Sequence, residues 1–434
     1  MLRFVDKILI KFFGVDRSVI LLFAFSILGS AVNYAFQIFL GNMLTISDYG
    51  KFNTINAFSS NLMCFYSPLA VYACRMTAEK QTNLFVNGLI YRSIVSFVIL
   101  ISAAVMVMGV GAFLLIPLER FGIDIFSFWI LVLTMTVTAG VYVVVNGILQ
   151  GIGRLEWYGF LGFCLMVIKM GLSYMGIKLG GRVPTVVWAM LISYAVVICL
   201  IVVMISRTIK HQYRDWRMQM QPAVEHKEML RLYGLTFLVQ MVVSLYINGG
   251  ETMLMSYFYD NETVGRYSLV ANVAKIGMYV VSIFTSALLP KVSSDWGKGK
   301  AVKRWFYIAM AFALGIGIVW VLFLSTIGRR LSRMFLGERY YEALSSVRYM
   351  ALWMIGLGML MVANTFYLAI NRLERYLMVL VFVTGGIVGC VAISGMEVIY
   401  VPIVIGVGIQ IILLSAFVDM RGIINPNNME KGIL

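Results

Sequence analysis

Charge is scarce in this chain: Asp, Glu, Lys and Arg make up only 13% of its 434 residues, where ordinary soluble domains carry about 25%. With 61% hydrophobic residues and a mean hydropathy of +0.89, a lipid-free core of that size is excluded at this length. Soluble enzymes and secreted modules are ruled out, and a polytopic membrane protein is left. Histidine is nearly absent. His211 and His226 share one hydrophilic stretch, which excludes a histidine-based metal or acid–base centre. The five cysteines (Cys64, Cys74, Cys164, Cys199, Cys390) are scattered through apolar runs without CxxC spacing, so they read as small buried hydrophobes. Neither GxxxxGK[ST] nor HExxH occurs, which excludes P-loop ATP binding and that class of zinc hydrolase. Paired aspartates and a large outer domain, expected of a membrane glycosyltransferase or polymerase, are missing too. An enzyme is not expected.

What is present is hydrocarbon-length sequence. A span needs about 20 apolar residues to cross roughly 30 Å. Ten charge-free runs qualify: 18–47, 52–74, 93–118, 125–153, 183–206, 232–250 (continuing past Glu251 to Tyr259), 305–328, 349–371, 376–396 and 398–418. Runs 157–177 and 267–290 qualify apart from one lysine each, Lys169 and Lys275. The expected architecture is therefore all-α with twelve transmembrane helices. With the N-terminus inside, 23 Lys and Arg fall on inner segments and 10 on outer ones, which favours both termini in the cytoplasm. The net charge of +15 is thereby accounted for by topology, and no nucleic-acid partner is expected. Five arginines in 329–348 run against the rule, in a segment patterned as an interfacial helix. Residues 1–17 alternate apolar and basic side chains, as an amphipathic segment on the inner leaflet does.

The chain divides at its longest inner loop, 207–231, giving an N-terminal lobe (18–206, six spans), a C-terminal lobe (232–418, six spans) and a tail (419–434). The halves repeat. Asn146-Gly-Ile-Leu-Gln-Gly-Ile-Gly-Arg-Leu-Glu-Trp-Tyr158 matches Asn364-Thr-Phe-Tyr-Leu-Ala-Ile-Asn-Arg-Leu-Glu-Arg-Tyr376 at six of 13 positions. Tyr49-Gly-Lys-Phe52 parallels Val264-Gly-Arg-Tyr267, an offset of 215 that also sets Asn33 on Asn248. Six helices preserve orientation, so the repeats are parallel, an arrangement that puts a substrate path between two bundles. The chain reads as a transporter.

A charge at mid-bilayer costs about 2.5–3.5 kcal/mol on insertion scales, so each one calls for a reason. Lys275 shares a helical face with Ser268, Asn272 and Ser282, and the repeat maps it onto Ser60, beside Asn56. It faces either an anionic substrate group or a neighbouring helix. Lys169 lies mid-span with no counter-ion in sequence. Glu251 ends a stripe of Gln240, Ser244 and Asn248, directly after Gly249-Gly250, where a helix break can free carbonyls for a small cation. It is either a Na⁺ or H⁺ coupling site or the partner of Lys275. The first span has an uncharged stripe of Ser26, Ser30, Asn33 and Gln37. Arg75 and Arg92 lie near inner helix ends, where arginines snorkel.

Three segments resemble a known family. Phe39-Leu-Gly-Asn-Met-Leu-Thr-Ile-Ser-Asp-Tyr-Gly-Lys-Phe52 resembles the end of the first helix in bacterial polysaccharide (O-antigen and capsule) flippases of the multidrug/oligosaccharidyl-lipid/polysaccharide exporter (MOP) superfamily. Val264-Gly-Arg-Tyr-Ser268 with Leu288-Leu-Pro-Lys-Val-Ser293 is similar to the eighth helix, and Phe335-Leu-Gly-Glu-Arg-Tyr340 to the outer segment before the tenth. The resemblance implies two six-helix lobes forming a V in the bacterial inner membrane. It also implies flipping of a polyprenyl-pyrophosphate-linked oligosaccharide to the outer leaflet for surface polysaccharide assembly, with no cofactor beyond a coupling ion. On this reading Lys275 and Lys169 meet the pyrophosphate. Asn33, Gln37, Asn56, Asn248 and Asn272 meet the sugars, Glu251 takes Na⁺ or H⁺, and a polymerase or assembly protein is a candidate partner. The second acid usual on the last three helices is missing. The rivals are a cation-coupled multidrug antiporter of the same fold, a major-facilitator transporter and a membrane scaffold. The loop 75–92 lacks the Gly/Asp/Arg-rich major-facilitator motif.

Overall fold

Backbone groups in hydrocarbon have no water to pair with, so long apolar runs must satisfy themselves as helices. The computed structural model describes residues 17–79, 98–99, 102–103, 125–213, 226–297, 302–328, 347–370, 372–394 and 401–422. All regular structure among them is helical. In chain order the helices are α1 (Arg17–Met43), α2 (Ile46–Leu62), α3 (Ser67–Glu79), α4 (Ile125–Gly151), α5 (Leu155–Lys178), α6 (Val183–Tyr213) and α7 (His226–Ile247). They continue as α8 (Gly250–Phe258), α9 (Asn261–Ala274), α10 (Ile276–Gly297), α11 (Lys303–Phe323), α12 (Val347–Ile370), α13 (Leu373–Ser394) and α14 (Val401–Gly422). Seven helices among the described residues are long and apolar enough to cross a membrane, and two shorter apolar ones accompany them. Most of the expected third span, the amphipathic start, the outer segment 329–346, the centre of the 207–231 loop and the end of the tail lie outside the described residues, as does Arg92.

Among the described residues, three expected spans are not continuous helices. In the second, Pro68 has no N–H for the Cys64 carbonyl; the Ser67 hydroxyl donates to it instead, at 3.1 Å, after a 3₁₀ turn over Met63–Phe65. In the seventh, Gly249 takes φ 85°, a left-handed backbone that glycine alone adopts cheaply, and separates α7 from α8. In the eighth, the ladder slips at Lys275. The Met278 N–H bonds the Lys275 carbonyl at 3.0 Å, and the freed Ala274 carbonyl accepts the Trp320 indole N–H at 3.1 Å.

Both copies of the internal repeat fold alike. Asn146 and Asn364 are buried near the ends of α4 and α12, and the matching Arg-Leu-Glu segments open α5 and α13. The chain forms two compact units, residues 1–36 with 58–237, and 37–57 with 238–434. In the first, α3 packs on α4 and α5 on α6, with Thr136 donating to Ser59 at 3.2 Å and Phe58, Phe128 and Trp129 meeting edge to face. In the second, α12 is central, against α10, α11 and α14, around Phe306, Phe366 and Phe417. Small residues permit such close helix contact where lipid gives no hydrophobic drive. Cys64 and Cys74 are buried as expected, but Cys199 and Cys390 are exposed on helix surfaces. A lipid-facing surface is as apolar as the interior, so an apolar run does not say which way its cysteine points.

Candidate functional site

Among the described residues, each unit holds one deeply buried lysine. In the first, α5 carries Lys169, 6% exposed. Its ammonium donates to the Asn33 side-chain oxygen at 2.7 Å and lies 4.5 Å from the centre of the Phe36 ring. Asn33 and Phe36 are one turn apart on α1, so that helix supplies a polar and an aromatic contact together. Among the described residues no carboxylate pairs with this cation.

In the second unit Lys275, 6% exposed, donates to Glu251, 2% exposed. The helix break at Gly249 places Glu251 in the first turn of α8, where the exposed amide ends favour a carboxylate. The slip at Lys275 lies on the opposing segment, and Trp353 flanks the ammonium, 6.0 Å from ring centre. Glu251 Oε2, the Tyr267 hydroxyl and the Ser268 hydroxyl are buried without a hydrogen-bond partner among the described residues. Of the two readings of Glu251, the ion pair is the geometry present, and it leaves one carboxylate oxygen unused.

A third set joins two of the expected sugar contacts. The Tyr49 hydroxyl donates to Gln37 Oε1 at 3.1 Å and accepts from the Asn272 amide at 3.2 Å. Tyr49 is fully buried, although the sequence had marked it as a repeat anchor and part of a family segment and not as a contact. Asn56 is half-buried on α2 and belongs to none of the three sets, and Asn248 is exposed at the break between α7 and α8. Ser282 donates back to its own helix, to the Tyr279 carbonyl at 2.7 Å. No cluster of three or more His, Cys, Asp or Glu among the described residues could hold a metal ion.

Sequence reasoning passed over several participants. Phe36, Trp320 and Trp353 looked like any other lipid-facing aromatics. Asp419 fell at the start of the expected tail, yet it accepts the Tyr367 hydroxyl at 2.9 Å and lies 3.6 Å from Arg375. The spacing to Tyr367 and Arg375 in the tertiary fold, invisible in sequence, is what joins them.

No family model matches the chain, and no curated protein does. Solved structures do match. An outward-facing multidrug resistance MATE family transporter of the MOP superfamily aligns with TM-score 0.67 at 17% identity, over 93% of this chain and 94% of that one. The inward-facing conformation of such a transporter aligns with TM-score 0.59 at 15% identity, over 91% and 98%. A MOP superfamily transporter from Pyrococcus furiosus, described as having a binding pocket of reverse polarity that suggests a different function, aligns with TM-score 0.69 at 16% identity, over 93% and 94%. This chain has the multi-pass helical fold of MOP-superfamily transporters.

Proposed function

We propose that the chain is a flippase of the MOP fold that carries a polyprenyl-pyrophosphate-linked oligosaccharide from the cytoplasmic to the outer leaflet by alternating access. The observation that carries this reading is Lys169. A buried ammonium held by an amide and an aromatic ring, with no carboxylate against it among the described residues, is costly in hydrocarbon. It suits a site that receives an anion during part of a cycle. A pyrophosphate is such an anion, and amide side chains such as Asn33, Gln37, Asn56, Asn248 and Asn272 suit sugar hydroxyls. Lys275 can meet an anion only when Glu251 releases it. A proton or Na⁺ arriving at Glu251 would do that, which couples an ion to cargo binding. In this reading the polyprenyl tail stays in lipid and the membrane is the inner membrane of a bacterium, with polysaccharide assembly proteins as neighbours. Variable pocket polarity within this fold supports a cargo other than cationic drugs. The same Glu251 geometry favours the second reading, a cation-coupled multidrug antiporter, because its unused carboxylate oxygen beside a helix break suits a coupling cation.

The test is the cellular pool of polyprenyl-pyrophosphate-linked oligosaccharide with the chain present, absent, or carrying Lys169→Gln. Complete repeat units accumulating inside, with surface polymer lost in both defective strains, is the expected result. An unchanged pool together with altered drug susceptibility would establish the antiporter.

A further inference from the structure

The two repeat anchors meet in space. Helix α2 begins at Ile46 and α9 at Asn261, and these residues are related by the offset of 215 that also relates Gly50 to Gly265. A side chain on Gly50 would overlap the Asn261 carbonyl oxygen, and one on Gly265 would overlap the Ile46 carbonyl oxygen. The same Cβ positions lie 3.0 Å from the Gly265 nitrogen and 3.2 Å from the Gly50 nitrogen. The contact is reciprocal: each glycine admits the carbonyl one turn before the other. That is the signature of an isologous interface on a two-fold axis, here an internal one between the repeats of a single chain. Beside it the symmetry fails. Position 49 is Tyr and position 264 is Val, and the Tyr49 hydroxyl alone ties Gln37 on α1 to Asn272 on α9.

We infer that the Gly50–Gly265 crossing, tied by the Tyr49 hydroxyl, is a releasable latch that seals one end of the transport path. Backbone-on-backbone contact closes the crossing without side chains to repack, so it can part and re-form as a unit. The polar tie is the part that cargo can compete for. When latched, the Gln37 oxygen and the Asn272 amide N–H are engaged by a phenol hydroxyl, and a sugar hydroxyl offers them the same chemistry. A sugar hydroxyl at those two atoms therefore displaces the Tyr49 tie. This inference rests on the transporter reading above, but its geometry stands apart from any cargo.

The experiment reads closure directly. Ser268 lies one turn beyond Val264 on α9 and is 2% exposed, so Ser268→Cys, in a chain with its five native cysteines replaced, reports opening through its rate of reaction with a water-soluble maleimide. The full-length protein in lipid nanodiscs is used. Tyr49→Phe keeps the ring and removes the tie, and the labelling rate is expected to rise up to about tenfold, the worth of one hydrogen bond. Gly50→Ala is expected to raise it further by forcing the crossing apart. If Gly50→Ala does not fold, Tyr49→Phe decides alone. Unchanged labelling in a Tyr49→Phe protein that still unfolds cooperatively would overturn the latch. Faster labelling in a protein that leaves the lipid-linked oligosaccharide pool untouched would keep the latch and overturn the cargo.

Discussion

The two buried lysines differ in what surrounds them. Lys275 sits against Glu251, so its charge is cancelled within the second unit. Lys169 sits against an amide and a benzene ring, with no carboxylate paired to it among the described residues. The pair in the second unit supplies its own counter-charge, so removing either member alone leaves the other buried and uncompensated. In the proposed cycle, Lys169 of the first unit is the cation kept ready for an arriving anion. Substitutions should therefore weigh more on stability at the pair and more on transport at Lys169.

The largest effect is expected from breaking the pair one-sidedly. Lys275→Ala leaves Glu251 buried and uncompensated, and should cost about 3–5 kcal/mol. Thermal unfolding in nanodiscs would measure it, and adding Glu251→Gln should restore most of the loss. If the two substitutions instead add, the pair is not coupled and the contrast with Lys169 fails. Next comes the support of the slipped helix. Trp320→Phe keeps an aromatic ring but leaves the Ala274 carbonyl without its donor, an expected loss of about 1–3 kcal/mol in the same assay. Lys169→Met should disturb stability less than either. It removes a charge that is expensive in hydrocarbon while orphaning one amide oxygen, and these offset to within about 1 kcal/mol. Transport, by contrast, should be lost. A Lys169→Met protein that moves cargo at the full rate would remove the first unit's cation from the mechanism.

The smallest effect lies outside the membrane, where charge is cheap. Asp260 caps α9, accepting from the Thr263 hydroxyl at 2.6 Å and the Glu262 amide at 3.3 Å. The Thr263 hydroxyl, and then the backbone amides, hold its carboxyl below the usual value. A depressed folded-state value means its contribution is complete above the unfolded value near about 4 and disappears as acid takes the pH through the folded one. Asp260→Asn should therefore flatten the stability profile only below about pH 4, by no more than about 1 kcal/mol. Thermal unfolding followed from neutral pH into acid would test it.

Much of this could be read from the residues, for reasons of scale. Lipid leaves helices as the sole way to satisfy the backbone of these apolar runs, and a lone lysine or glutamate inside such a run is conspicuous by its cost. The Gly249-Gly250 pair announced a break that Gly249 makes, since only glycine takes that φ cheaply. The slip at Lys275 had no such mark. It exists because Trp320, 45 positions further along, accepts the role of donor to a freed carbonyl. Tyr49 likewise looked like one aromatic among many until Gln37 and Asn272 closed on its hydroxyl.

The sequence by itself determined the helical membrane class, the internal repeat and the short roster of polar side chains that hydrocarbon would not tolerate idle, because solvation and periodicity act on local composition. Tertiary structure alone decided which lysine has a carboxylate, which amides share a tyrosine, and that the two glycines related by the repeat meet. Those are distances between residues far apart in the chain, set by how helices cross, and no local rule contains them.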